Sequence, residues 1–316
     1  MAKKVLVLGA SGQIGTDLTL NLREKLGAEN VIASDIKEPQ VSLGDGPFML
    51  LNALDREGMQ KFLKNHQIDE VYNMVAMLSA TAEKHPWKAW DLNMNSLFNT
   101  LELQKEGLFS KLFWPSSIAV FGPGLKNNTA IQNSVAEPKT VYGISKLSGE
   151  RWCEYYAKQY NCDVRSIRYP GIISYQTEPG GGTTDYAVDI FHKAIANVPY
   201  KCFLDEKRTL PMMYMADAVK ATMNIMEANS ESIRIRSSYN IAALSFSPQE
   251  LYTSICKYFP GFEIQYEPDK RDLYAQSWPA YINDDQAKMD WNWEAEFNLD
   301  KLVENMFHNL KSLIHQ

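Results

Sequence analysis

The fold of this chain is decided by the stretch Lys4-Val-Leu-Val-Leu-Gly-Ala-Ser-Gly-Gln-Ile-Gly15, which joins an apolar run to three regularly spaced glycines. The run from Lys4 to Leu8 predicts a strand buried on both faces. Residues 16–26 then show the spacing of apolar side chains that is typical of a helix. A glycine motif between a strand and a helix indicates dinucleotide binding. We therefore predict a dinucleotide-binding βαβ unit at the start of the chain.

The three glycines of this turn would have separate roles. Gly9 permits the tight turn, and Gly12 lets the backbone approach a pyrophosphate at the helix N-terminus. Gly15 lets the helix pack closely on the strand. The alternative is an ordinary turn between a strand and a helix. We predict that Gln13 and Ile14 contact the dinucleotide together with these glycines.

An acidic residue follows the second predicted strand, at residues 30–34. Asp35 lies twenty residues beyond Gly15, where a carboxylate would accept hydrogen bonds from the adenosine ribose hydroxyls. A 2′-phosphate at this place would meet a negative charge, although Lys37 nearby weakens that argument. The sequence therefore favours NAD over NADP as the cofactor.

Strands and helices continue to alternate along the chain. A strand and turn are predicted at 49–55, further strands at 70–76, 111–117 and 164–168, and helices at 55–66, 87–106 and 145–160. This spacing predicts an α/β protein with a Rossmann-type doubly wound parallel sheet and a smaller C-terminal α/β substrate lobe. We expect residues 1–168 and 208–243 to form the NAD-binding domain, and residues 169–207 and 244–316 to form the lobe.

Ligands of such sheets lie beyond the carboxyl ends of the strands, so residues at those ends are candidates for the site. On this basis we predict cofactor contacts from Asn52, Ala53, Leu54, Val75 and Ala76. A hydroxyl at Ser116 or Ser117 would be placed to meet a substrate oxygen. Taken singly, each polar residue of this group has an alternative interpretation as a turn former or a helix cap.

Composition excludes several classes of function. The net charge of −6 and the lack of a block rich in lysine and arginine argue against nucleic acid or an anionic membrane as the partner. The apolar run before Gly9 is too short for a signal peptide or a membrane span. The four cysteines and five histidines show no metal-ligand spacing, so no metal site is expected. We interpret Cys153, Cys162, Cys202 and Cys256 as buried thiols of a cytoplasmic protein.

Tyr142 and Lys146 are four residues apart, which would place a phenol and an ammonium on one face of a helix. A free tyrosine is a poor base at neutral pH, but a nearby positive charge would favour its phenolate form and lower its pKa. The pair could therefore transfer protons. Tyr266 and Lys270 have the same spacing, but Pro268 between them makes a continuous helix unfavourable.

The glycine turn, Asp35, a serine and the Tyr142/Lys146 pair occur in the order that is found in the extended short-chain dehydrogenase/reductase family, and this chain resembles that family over essentially its whole length. The resemblance implies that Tyr142 is the general acid/base and that Lys146 holds the nicotinamide ribose. It also implies that Ser117 positions the substrate oxygen. Ser117 aligns with the serine of the family pattern better than Ser116 does, and Ser116 remains the alternative. The segment containing Tyr169 and Ile172 matches the one whose backbone meets the nicotinamide.

Five segments of the second half indicate one subgroup of this family. They lie at 170–174, 179–186, 210–215, 245–248 and 277–279. Together they look like the L-threonine 3-dehydrogenases of the short-chain, epimerase-like type. The resemblance implies that NAD oxidises the C3 hydroxyl of L-threonine to give 2-amino-3-oxobutanoate. It places Ser79, Ser117, Tyr142, Thr184 and Trp278 around the substrate. Asp185 could offset the substrate ammonium. Helices 87–106 and 145–160 correspond to those that form a dimer in this family, so a homodimer is expected.

Several of these residues, and the function as a whole, have alternative interpretations. Gly180 to Gly182 could be a flexible loop, and any residue from Thr183 to Asp185 could cap a helix. Met212, Met213, Met215 and the segment 291–293 are expected to fill the core. The chain could instead be a nucleotide-sugar epimerase or dehydratase, or a non-catalytic NAD-binding protein on the same fold.

Overall fold

The computed structural model describes residues 3–176 and 182–314. Its strands are β1 (Val5–Leu8), β2 (Val31–Asp35), β3 (Phe48–Leu50), β4 (Glu70–Asn73), β5 (Lys111–Phe113), β6 (Ser116–Ser117), β7 (Thr129–Ala130), β8 (Asp163–Arg165), β9 (Ile167–Tyr169), β10 (Gly171–Ile173), β11 (Tyr200–Cys202), β12 (Leu210–Tyr214), β13 (Tyr239–Asn240), β14 (Leu244–Phe246), β15 (Ile264–Tyr266) and β16 (Tyr281–Ile282). Its helices are α1 (Gln13–Leu26), α2 (Arg56–His66), α3 (Ser79–Lys84), α4 (Pro86–Lys105), α5 (Val141–Tyr160), α6 (Tyr186–Ile195), α7 (Met215–Glu227), α8 (Pro248–Cys256), α9 (Lys270–Gln276), α10 (Asp285–Trp291) and α11 (Leu299–Ile314).

The main sheet has six strands in the order β3-β2-β1-β4-β5-β8, all parallel. Strand β1 is at its centre, where Val5 pairs with Val31 on one side and with Glu70 on the other. All four residues of β1 are buried, as expected for a strand covered on both faces. The strand order reverses beside β1, which is the topology of a doubly wound sheet. The predicted fold class is confirmed.

A second, three-stranded parallel sheet continues from the first in the order β13-β9-β6. The predicted strands 111–117 and 164–168 each divide between these two sheets, as β5 and β6 and as β8 and β9. Pro115 lies at the first division, and a proline has no N–H to donate to a ladder. Ser116 pairs with Arg168 and Ser117 pairs with Tyr169.

Two predicted boundaries differ from the observed ones near the cleft described below. Strand β4 ends at Asn73 and not at residue 76, because the Asn73 side chain accepts a hydrogen bond from the Val75 N–H at 3.2 Å and turns the chain. Helix α5 begins at Val141, four residues before the predicted start. Thr140 caps it by accepting a hydrogen bond from the Gly143 N–H at 3.1 Å.

Apolar side chains fill a core on each face of the sheet and a third in the C-terminal half. Met212, Met213 and Met215 are buried, as predicted, and so are Trp291 and Trp293. Three of the four cysteines are buried, whereas Cys256, which was expected to be buried, is partly exposed because it ends helix α8 near the surface. Within residues 3–176 and 182–314, no helix has the length and apolar character to cross a membrane.

Candidate active site

A cleft of about 640 Å³ lies at the carboxyl ends of β1, β4 and β6. Its walls come from the glycine turn, the start of α5, the segment after β9 and the turn before α6. Most of the predicted site residues line it, namely Gly9, Gly12, Gln13, Ile14, Gly15, Ala76, Ser79, Ser117, Tyr142, Lys146, Tyr169, Ile172, Thr184 and Trp278. The structure therefore brings these residues, from both the cofactor and the substrate predictions, together in one cleft.

The glycine turn has the geometry expected of a phosphate cradle. Gly9 has a φ of +75°, which side-chain-bearing residues rarely adopt. A Cβ on Gly15 would lie 2.2 Å from the carbonyl oxygen of Gly9, so only glycine fits there. Gly12 is the N-cap of α1 and has no side chain to bond the first N–H groups of that helix. Those N–H groups are therefore available to an anion.

Asp35 ends strand β2 beside this turn. Its carboxylate accepts hydrogen bonds from the Ser11 N–H at 3.1 Å and from the Ile36 N–H at 2.8 Å. The first of these bonds ties the carboxylate to the glycine turn. A dinucleotide lying on the turn would thus have a negative group at its adenosine side, which suits free ribose hydroxyls and opposes a 2′-phosphate.

Five predicted cofactor residues lie outside the lining of this cleft: Asp35, Asn52, Ala53, Leu54 and Val75. Asn52, Ala53 and Leu54 form the turn after β3, the strand that pairs with β2. The Asn52 side chain accepts from the Leu54 N–H at 3.0 Å, and Asn99 donates to the Ala53 carbonyl at 2.8 Å. This turn is therefore fixed beside Asp35, at the adenosine end of the predicted site.

Tyr142 lies in the first turn of α5, and its side chain is partly exposed to the cleft. The surrounding protein raises the pKa of Tyr142 to about 12, and hydrogen bonding to Ser117 opposes that change by lowering the pKa. Burial thus changes the pKa of Tyr142 more than the Ser117 hydroxyl does. The phenol and the Ser117 hydroxyl face the same point of the cleft, where an alcohol oxygen could bond both.

Lys146 is one turn further along α5 and is fully buried. Its Nζ donates to the Pro115 carbonyl at 2.6 Å and lies 4.4 Å from the centre of the Trp114 ring. Burial lowers the pKa of Lys146 to about 7, while nearby Glu150 opposes the effect. The expected lowering of the Tyr142 pKa by Lys146 is not what the structure gives. The ammonium lies 5.5 Å from the Tyr142 ring centre, and desolvation dominates at the phenol.

The two neighbouring serines of β6 have different partners. Ser116 is buried, and its hydroxyl donates to the Glu150 carboxylate at 2.6 Å. Ser117 is less buried; its hydroxyl accepts from the Ala119 N–H at 3.2 Å, and its presence lowers the pKa of Tyr142. This geometry favours Ser117 over Ser116 as the group that meets a substrate oxygen.

The other end of the cleft is formed by α3, the turn before α6 and Trp278. Ser79 is the first residue of α3. The Thr184 side chain packs so closely on Gly171 that a Cβ there would lie 2.6 Å from the Thr184 methyl group. Asp185 is the N-cap of α6, but its carboxylate accepts from the Gly182 N–H at 2.7 Å and makes no bond to the helix. Gly180 and Gly181 lie outside the described residues.

Sequence reasoning missed two residues next to this site, Glu150 and Arg168. Both are buried, and they form an ion pair beneath Ser116 with an Nη2 to Oε2 distance of 2.7 Å. Glu150 follows Lys146 by four residues, and this spacing places both side chains on one face of a helix, so it could have indicated Glu150 from the sequence. Tyr169, which was predicted from its segment, bonds Thr222 through its hydroxyl and leaves its backbone at the cleft.

Comparisons with known proteins agree with this geometry. The profile of the NAD dependent epimerase/dehydratase family matches residues 5–242. An uncharacterized epimerase/dehydratase of Staphylococcus haemolyticus is 41% identical over 307 residues, which cover 96% of each chain.

Two solved structures are also similar. A GalE-like L-threonine dehydrogenase from Cupriavidus necator, in its holo form, has a TM-score of 0.95 and 50% identity over 97% of this chain and 99% of that one. A monomeric L-threonine 3-dehydrogenase from a metagenome has a TM-score of 0.93 and 44% identity over 98% of this chain and 99% of that one.

The residues of this chain fit the cofactor of that family. Glycine at position 15 lets α1 pack directly on the Gly9 carbonyl, helix α1 begins with N–H groups that no side chain caps, and Asp35 lies beside the turn. These features are what a dinucleotide with unmodified ribose hydroxyls requires. With its fold, its cofactor cradle and its match over three quarters of the length, the chain belongs to the NAD dependent epimerase/dehydratase family.

Proposed function

We propose that this enzyme oxidises the C3 hydroxyl of L-threonine with NAD and forms 2-amino-3-oxobutanoate. The observation that carries the proposal is the arrangement of Tyr142, Ser117 and Lys146 in the cleft that also contains the glycine turn. Oxidation of an alcohol removes a proton from oxygen and a hydride from carbon, so a base and a hydride acceptor must flank one carbon. When bound, NAD supplies the hydride acceptor.

The proposed roles of the side chains follow from their contacts. The Tyr142 oxygen, as phenolate, takes the proton of the C3 hydroxyl, while the Ser117 hydroxyl bonds the same substrate oxygen. Because burial raises the pKa of Tyr142 to about 12, the base requires a positive charge that favours its phenolate form. Lys146, held by the Pro115 carbonyl 5.5 Å from the Tyr142 ring centre, supplies this charge in its protonated form, although burial lowers the pKa of Lys146 to about 7.

Recognition of a small amino acid would fall to the far end of the cleft. The hydroxyls of Ser79 and Thr184 can donate to a carboxylate, and the Asp185 carboxylate can balance an ammonium. Trp278 offers an apolar wall to the methyl group. These groups match the three features that distinguish threonine from other alcohols.

The arginines of the second half argue against a nucleotide-sugar substrate, whose pyrophosphate requires free cations. Arg208 binds Asp272 through two hydrogen bonds, each of 2.9 Å. Arg234, Arg236 and Arg271 are likewise paired with Asp290, Asp163 and Asp269. Among the described residues that line the cleft, Lys146 is the one lysine or arginine. A second phosphate-binding set is thus missing from this part of the chain.

Substrate choice is tested by two assays on the purified enzyme. We expect threonine and NAD to give NADH, measured by absorbance, with serine slower because it lacks the methyl group that Trp278 would contact. UDP-glucose and UDP-galactose should neither bind in calorimetry nor interconvert. Conversion of UDP-sugars without net NADH, together with no reaction of threonine, would instead establish the epimerase.

We also propose a homodimer formed through helices α4 and α5. Large aromatic side chains are exposed on these helices, among them Trp87, Trp90, Trp152, Tyr155 and Tyr160, and Trp87 is 83% exposed. Exposed apolar patches of this kind mark interaction surfaces. Within the same family, however, a monomeric relative exists.

Trp152→Glu should convert the dimer to a monomer, because it places a charge in the aromatic surface of α5. Light scattering after gel filtration measures the mass. Met289→Glu, which changes an exposed apolar residue of α10, is the matched control and should stay dimeric. A monomeric unmodified protein at micromolar concentration would exclude the dimer.

The division into a cofactor domain (1–168 and 208–243) and a lobe (169–207 and 244–316) is likewise a proposal. Helix α7 packs on α1, and Tyr239 shares a core with Val5, which supports the return of 208–243 to the first domain. Trp291 shares that core too, although the proposed lobe includes it. We further propose a cytoplasmic location, consistent with free cysteines.

A further inference from the structure

A buried carboxylate lies directly below the proposed proton-transfer group. Tyr142, Lys146 and Glu150 follow each other at intervals of four residues on α5, so they form one stripe along the helix. Glu150 is fully buried, and its Oε1 accepts hydrogen bonds from the Ser116 hydroxyl at 2.6 Å and from the Arg168 Nε at 2.8 Å. Its Oε2 accepts from the Arg168 Nη2 at 2.7 Å. Both carboxylate oxygens are thus engaged.

Arg168 extends this connection across the small sheet. Its Nη1 donates to the Asn240 side chain of β13 at 3.0 Å and to the Gln132 carbonyl at 3.1 Å. Arg168 is also the ladder partner of Ser116. The guanidinium therefore joins all three strands of the β13-β9-β6 sheet to helix α5 through Glu150.

The next residue on β6 is Ser117, which lines the cleft together with Tyr142 and whose hydroxyl lowers the pKa of Tyr142. Side chains alternate across a strand, and the partner strand shows that alternation here. Arg168 binds Glu150 on α5, whereas the hydroxyl of the next residue, Tyr169, binds Thr222 on α7. Ser116 likewise binds Glu150 on α5. Ser117 lies at the end of β6 and lines the cleft with Tyr142, so the bond of Ser116 fixes the strand that carries Ser117.

We propose that Ser116 and Glu150 are positioning residues that fix β6 against α5 and so hold the Ser117 hydroxyl at Tyr142. This inference rests on the proposed function, because it assigns the reaction to Tyr142 and Ser117. Ser116 borders the cleft, but its hydroxyl is committed to Glu150. Buried ion pairs are often replaceable by apolar residues without loss of stability, so a geometric role explains this one better than a stabilising role.

Ser116→Ala is the most direct test, since it breaks the connection to β6 and leaves the Glu150–Arg168 pair intact. We expect kcat for threonine oxidation to fall roughly 10- to 100-fold, the effect of a small misplacement of a reacting group. KM for NAD should not change. The acid limb of the kcat pH profile should shift to higher pH, because the bond to Ser117 lowers the pKa of Tyr142 and a displaced Ser117 raises it.

The matched control is Ser254→Ala. Ser254 is also a buried serine that donates to a carboxylate, that of Asp300 at 3.1 Å, but it lies on α8 away from the cleft. It should keep the kcat and pH profile of the unmodified enzyme. An unchanged acid limb in Ser116→Ala would overturn the proposal, because a merely structural serine would alter stability and not the profile.

A double-mutant cycle with Glu150→Gln then tests whether Ser116 acts through Glu150. The effects on kcat should be far from additive if the two residues act as one unit. Additive losses would instead assign Ser116 a separate contact with the substrate and contradict the proposal. If Glu150→Gln does not fold, as circular dichroism would show, the Ser116→Ala profile decides alone.

A crystal structure of Ser116→Ala separates this inference from the proposed function. A displaced Ser117 hydroxyl supports the positioning role even if threonine is not the substrate, and an undisturbed contact between Ser117 and Tyr142 refutes it. The absence of threonine oxidation by the unmodified enzyme would overturn only the proposed function.

Discussion

Tyr142→Phe should lower kcat for threonine oxidation by about 10²- to 10⁴-fold, the usual contribution of a positioned acid/base. The substitution removes one oxygen atom from a residue that lines the cleft, and it leaves the ring and the start of α5 in place. NAD binding should persist, because the glycine turn and Asp35 are separate from the phenol. Stopped-flow absorbance of NADH and calorimetric titration with NAD measure the two quantities.

Tyr266→Phe is the matched control for this prediction. Tyr266 has the same spacing to a following lysine, but it ends β15, and its hydroxyl donates to Gln249 at 2.8 Å, away from the cleft. That variant should oxidise threonine at the rate of the unmodified enzyme. A Tyr142→Phe enzyme that keeps its full rate with NAD bound would show that another group takes the proton.

Gly15→Ala should abolish cofactor binding, with the affinity for NAD reduced by roughly 100-fold or more. The new Cβ would lie 2.2 Å from the Gly9 carbonyl oxygen and 3.0 Å from the Ala10 Cα. Both are backbone atoms, so the helix must move away from β1 and its N-terminal N–H groups move with it. Overpacking of this kind also lowers the free energy of unfolding by about 1–3 kcal/mol. Fluorescence titration with NADH and urea denaturation measure the two effects.

Gly261→Ala provides the comparison. A Cβ on Gly261 would meet no atom within 4 Å, and we expect unchanged NADH affinity and unchanged or slightly higher stability. If Gly15→Ala bound NADH normally, the dinucleotide would lie somewhere other than the glycine turn.

The parts of the fold that local chemistry controls were predictable. A continuous apolar run followed by three glycines gave β1, the turn and α1, and the alternation that follows gave the parallel sheet. The start of α5 was not predictable in this way. Gly143 lies in its first turn and lowers helix propensity, yet it is needed because a Cβ there would lie 2.1 Å from the Ala119 carbonyl. That contact comes from a distant part of the chain.

The candidate site shows the same division. Residue type and spacing pointed to Tyr142 and Lys146, and both line the cleft. Their electrostatics could not be predicted, because burial determines the direction of each pKa change and burial depends on tertiary packing. The Glu150–Arg168 pair was missed for a similar reason: the packing of α5 on β6 and the pairing of β6 with β9 together bring the two side chains beneath the serines.

The alternation of Ser116 and Ser117 has a consequence for loop length. Side chains on a strand repeat every two residues, so a shift of one residue exchanges their faces. Deleting Trp114 or Pro115 between Phe113 and Ser116 would exchange the faces of the two serines and would also disturb the contacts that hold Lys146. The length of the short connection from β5 to β6 therefore determines which face of the strand each serine occupies. Natural variation in this enzyme should keep the length of that connection and the buried Trp114, which contacts Lys146.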